Sequence, residues 1–100
     1  WMTAGTRRVF DRNAEGVLHN DLAACNVWTS GAEAAARISC PTAVITGAFD
    51  VMTPPKRGAE LASAIKGATL TKLADSGHMI MNEAPDGCLD ALIALTAARR

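Results

Sequence analysis

The sequence predicts an α/β fold built on parallel strands, and three observations carry that prediction. Two short apolar runs of strand character, Thr42 to Gly47 and Ala68 to Leu73, are each bounded by turn residues. A segment of helical period lies between them, and another follows the second run. Strand, helix, strand, helix is the order that gives parallel pairing through a right-handed crossover.

Residues 1 to 16 are polar, with Arg7, Arg8, Asp11, Arg12 and Glu15 around Val9 and Phe10, and no regular element is assigned to them. From Val17 the apolar positions Leu18, Leu22, Cys25 and Trp28 recur at steps of four, three and three, which predicts a helix over 16–29 with one apolar face. Ser30 and Gly31 break it, and Ala32 to Arg37 make a short alanine-rich helical turn. Pro41 cannot donate to a ladder but is tolerated at the start of a strand, so the first strand begins at Thr42. Thr53 then offers a hydroxyl N-cap, Pro54 suits the first helical position, and Leu61, Ala62 and Ile65 make an apolar stripe. Lys66 complements the negative end of that helix, and Gly67 is free to take a left-handed cap. In the second strand Lys72 points to a nearby sheet edge. Pro85 opens the last helix, with Leu89, Leu92, Ile93 and Thr96 on one face and Arg99 and Arg100 at its end.

Composition bounds the function. The chain has 100 residues, 49% of them hydrophobic, and reads as a single globular unit. Alanine supplies twenty of those hydrophobic residues, so the core is expected to be thin. Ten basic residues balance ten acidic ones, and no basic stripe interleaved with aromatics occurs, which argues against nucleic acid as a partner. No apolar run approaches the roughly 20 residues needed to cross a bilayer, and no membrane partner is expected. Cys25, Cys40 and Cys88 form no Cys-x-x-Cys pair, which argues against a zinc site or a disulfide framework. They are expected to be reduced, half-buried residues of a cytoplasmic protein. His19 and Asp21 lack a third ligand at useful spacing and read as helix-surface residues.

The chemistry concentrates at two strand ends. Asp50 lies just past the first strand and His78 just past the second, at the edge where open α/β sheets place their sites. In a Gly-x-x-Asp loop the aspartate can also serve its own backbone, and His78 has the alternative of a plain surface residue. Gly77 favours a tight turn before the histidine. Asp75 is a rival acid, but three residues from His78 it reads as a turn residue. Glu83, ahead of Pro85, is expected to serve the amino end of the final helix. Met52, Met79, Ile80 and Met81 flank the pair and are read as core fillers rather than as an acyl pocket.

These residues, Ile38, Cys40-Pro41-Thr42, Val44-Ile45-Thr46-Gly47, Asp50 and Thr53-Pro54-Pro55, followed by Gly77-His78, Glu83 and Pro85, resemble the end of an α/β-hydrolase fold protein. The likeness runs from about Asp21 onward. It implies the last two strands and flanking helices of a doubly wound, mostly parallel sheet: 1–37 as a cap or helical segment and 38–100 as the strand-helix-strand-helix portion. The opening at Trp1 and the presence of only two parallel strands, which do not make a stable sheet, lead to the same expectation of a carboxyl-terminal piece. The resemblance further implies Asp50 as the acid that orients the imidazole and His78 as the general base, acting on a small-molecule substrate without a metal or organic cofactor. None of Ser30, Ser39, Ser63 and Ser76 lies in Gly-x-Ser-x-Gly, so the nucleophile is expected upstream, as serine, cysteine or aspartate. A non-catalytic binding protein of the same fold, and a small module that pairs its sheet with a second copy, are the alternatives.

Overall fold

The computed structural model describes residues 2–97, excluding the side chains of Met2 and Thr3, and divides the chain into two compact units, Trp1–Ser30 and Gly31–Arg100. The first unit holds α1 (Met2–Phe10) and α2 (Val17–Val27). Helix α1 falls where no element was expected. It is amphipathic but mostly polar, and local terms support it: Arg7 and Arg8 in its last turn complement the helix dipole, and Arg7 faces Asp11 at 3.8 Å. Such an exposed pair contributes only about 0.2–0.5 kcal/mol.

Helix α2 matches the expected helix and starts after Gly16, whose φ of 84° lies in the left-handed region that favours glycine. Its apolar face does not enter a core. Leu18 and Leu22 are exposed, as is Trp28 at the helix end, and none of its residues is buried.

The second unit carries α3 (Gly31–Ala36), β1 (Ala43–Gly47), α4 (Pro55–Ala64), β2 (Thr69–Leu73), α5 (Ile80–Glu83) and α6 (Pro85–Ala97). The strands pair in parallel with Ala43 opposite Thr69 and Gly47 opposite Leu73. Side chains alternate between the faces of a strand. A Cβ at Gly58 of α4 would run into the Thr46 side chain, and one at Gly87 of α6 would come within 2.9 Å of Leu73. Thr46 stands opposite Lys72 and Gly47 opposite Leu73, so Thr46 and Leu73 point to opposite faces. Helices α4 and α6 therefore cover the two sides of the sheet, as a parallel sheet requires.

Helix α4 starts one residue later than expected. Pro54 takes the N-cap position, with no side-chain bond to offer, and the Thr53 hydroxyl donates to Asp50. Gly67 adopts the left-handed conformation, at φ 76°. The single turn α5 was not anticipated. Arg99 and Arg100 lie outside the described residues.

The core is thin, as the alanine content implied: among the described residues its buried apolar members are Ala35, Ile65 and Cys88. Cys25 and Cys40 are exposed rather than half-buried, since they sit on α2 and in the loop before β1, where nothing covers them. Met52, Met79 and Met81 are also exposed, on loop and one-turn segments held by backbone bonds instead of packing. Among the described residues no helix is long and apolar enough to cross a membrane.

Leu70, Leu89, Leu92 and Ile93 remain exposed, and the two-stranded sheet has two open edges. The 100-residue chain produced by itself is therefore expected to self-associate. Sedimentation showing a dilute monomer with a sharp two-state melt would contradict this.

Candidate active site

The loops after β1 and β2 meet because one side chain is missing. A Cβ on Gly47 would collide with the backbone carbonyl of Gly77 and come within 2.6 Å of that of Ser76. Bare backbone at this position lets the loops interlock. Ala48 N–H donates to Leu73 O at 2.9 Å, and Phe49 N–H donates to Ser76 O at 2.9 Å, with Ser76 buried.

This contact brings Asp50 and His78 together, 28 residues apart in sequence, with Nδ1 of the ring 3.0 Å from Oδ2 of the carboxylate. An ionised carboxylate only accepts, so Nδ1 carries a proton, and in the neutral ring Nε2 keeps its lone pair. Nε2 has no hydrogen-bond partner among the described residues, and the His78 side chain is 43% exposed against 6% for Asp50. The ring is thus anchored at one nitrogen and open at the other.

Asp50 also serves its own loop. Oδ1 accepts the N–H groups of Met52 and Thr53, each at 2.9 Å, and the Thr53 hydroxyl donates to Oδ2 at 2.6 Å. The turn-stabilising use of a Gly-x-x-Asp aspartate and the contact with histidine are therefore both present, one at each oxygen. The Thr53 side-chain and backbone bonds, then the bonds from His78 and Met52, hold the Asp50 carboxyl well below the usual carboxylate range, against the opposing effect of desolvation.

Thr53 is the partner that sequence reasoning missed. Its hydroxyl, which also lies 3.5 Å from Nδ1 of His78, looked like a helix cap because it precedes two prolines. Asp75, the rival acid, is exposed and makes no hydrogen bond to the ring. Glu83, two residues ahead of the last helix, turns its carboxylate toward the loop before His78. Its Oε2 accepts the N–H of Gly77 at 2.6 Å.

A cavity of about 330 Å³ opens beside the pair, walled by Val44, Leu61 and Ile80 and bordered by Arg57. Ile80 alone of the four flanking apolar residues lines it. Thr46 also lines it, with a buried hydroxyl that has no partner among the described residues.

Parallel strands covered on both faces, with an acid and a hydrogen-bonded histidine on successive loops at their carboxyl ends, are arranged as at the end of an α/β-hydrolase fold. The profile of the family described as TAP-like protein matches residues 11–95, and the chain belongs to that family of α/β-hydrolase-fold proteins. No curated protein and no solved structure matches the chain.

Gly47→Ala is expected to cost at least about 1–3 kcal/mol through overpacking against immovable backbone. Denaturant unfolding measures this, and an unchanged midpoint would mean that the loops do not approach so closely. Thr53→Val removes the largest influence that lowers the Asp50 pKa. With that pKa depressed in the folded state, Asp50 stabilises the fold fully above the ordinary carboxylate value of about 4 and loses this contribution as pH falls below it. The valine variant is accordingly expected to begin acid unfolding at a higher pH than the parent, as followed by circular dichroism.

Proposed function

We propose that the chain contributes the acid and the base of a Ser-Asp-His type triad for hydrolysis of an ester, amide or related bond in a small-molecule substrate. The observation that carries this reading is the polarity of the imidazole, bonded to a buried carboxylate through Nδ1 and open at Nε2. A general base needs that arrangement. Asp50 fixes the tautomer, Nε2 takes the proton of an attacking nucleophile, and the imidazolium so formed is stabilised by the carboxylate until the proton passes to the leaving group.

Asp50 suits its part because the bonds it accepts from Thr53, His78 and Met52 keep it ionised across the working pH range. The apolar walls of the adjoining cavity suit the acyl or side-chain portion of a substrate. The nucleophile and the oxyanion donors come from outside these 100 residues, since no serine here occupies an elbow. At the level of the family the assignment is to hydrolases.

In the intact protein His78→Ala is expected to abolish hydrolysis of a short p-nitrophenyl ester, and Asp50→Asn to lower it roughly 10³–10⁴-fold by leaving the ring in the wrong tautomer. Asp75→Asn should change the rate by less than about tenfold, as for an exposed turn residue. A crippling effect of Asp75→Asn beside an active Asp50→Asn would overturn the choice of acid. Saturable turnover by the 100-residue chain alone, lost with His78→Ala, would show that the nucleophile lies within it.

A further inference from the structure

We propose that Glu83 is a positioning residue for His78. The proposal rests on the reading of His78 as the base and adds the group that holds its backbone. Glu83 touches the chain on both sides of the histidine. Its carboxylate accepts the N–H of Gly77 at 2.6 Å, and its own N–H donates to the carbonyl of Met79 at 3.0 Å. The residues immediately before and after His78 are thus tied to one amino acid.

The one-turn helix α5 makes this possible by folding the chain back on itself. Asn82 N–H also bonds Met79 O, at 2.9 Å, and Ala84 N–H bonds Ile80 O, at 2.9 Å. Glycine at 77 admits the carboxylate closely: a Cβ there would stand 3.3 Å from Oε2. Glu83 closes α5 and lies two residues before Pro85 of α6, so the dipoles of the two helices act on it in opposite senses. A charge-assisted bond to the loop N–H of Gly77 gives it a role beyond those helix ends.

The bond also answers a mechanical need. Asp50 is held through three donors of its own loop, whereas the His78 ring has one strong anchor, at Nδ1. A loop free to shift by an ångström at Gly77 would move Nε2 relative to any fixed nucleophile, and misplacement on that scale is costly to catalysis. Glu83 is exposed and its bond can be replaced by water, so its loss should loosen the histidine without unfolding the protein.

The test is NMR of the intact protein labelled with ¹⁵N-histidine, reading the exchange of the His78 Nδ1 proton with water. Glu83→Ala is expected to speed that exchange about tenfold or more, the effect of losing one hydrogen bond to a charged group, at a melting temperature close to the parent's. Glu83→Gln keeps an acceptor in place without the charge and should restore slow exchange in part. Unchanged exchange in Glu83→Ala would overturn the proposal. Should the alanine variant fail to fold, Glu83→Asp withdraws the carboxylate by one methylene, and unchanged exchange there overturns the proposal equally. Asp50→Ala is the control that separates the two readings. If it leaves the Nδ1 proton undisturbed, the acid-base pair itself is wrong; if it speeds exchange while Glu83→Ala does not, only the role of Glu83 falls.

Discussion

The carboxyl ends of β1 and β2 lie level, with Gly47 opposite Leu73, and at that level the two following loops touch through backbone alone. Hydrogen bonds between main-chain groups then set the spacing, chiefly those from Ala48 and Phe49 to Leu73 and Ser76. The 3.0 Å contact between Asp50 and His78 is downstream of this approach. So is the burial of Asp50, whose carboxylate stays charged because it spends its lone pairs on neighbours fixed by the same loops. A side chain at position 47 would push the acid and the base apart before either could contribute anything.

Local signals were enough to read the strands, α4 and α6, since turn residues bound each run and the period changes between them. The meeting of Asp50 and His78 was legible for the same reason, because parallel strands bring their successive ends to one edge. Other features depend on groups brought close only by tertiary structure. Thr53 had two possible uses for its hydroxyl, as an acceptor for helix N–H groups in sequence and as a donor to a carboxylate in space, and the structure shows the second. Glu83 bonds an N–H whose direction is set by the path of the loop, which no periodicity records. Helix α1 escaped notice because it buries no stripe, and the apolar face of α2 located a helix correctly without finding a core beneath it.

The division of labour at Asp50 explains why an aspartate suits this loop so well. One oxygen organises the turn through Met52 and Thr53, and the other is shared by Thr53 and the imidazole. Asparagine could reproduce part of the turn but not the charge. A longer glutamate would have to fold back to reach the same N–H groups. Structure and chemistry therefore select the same side chain here, for different atoms of it.

The covering of the sheet by α4 on one face and α6 on the other has a consequence for how freely this region can diverge. Nothing in the bonds that hold Asp50 and His78 comes from the body of either long helix; they belong to the strand ends, the loops beyond them and the single turn α5. Residues on the outer surfaces of α4 and α6 can be exchanged, and the helices lengthened at their far ends, without altering the acid-base distance. The reactive pair is thereby insulated from changes confined to the outer faces of those helices.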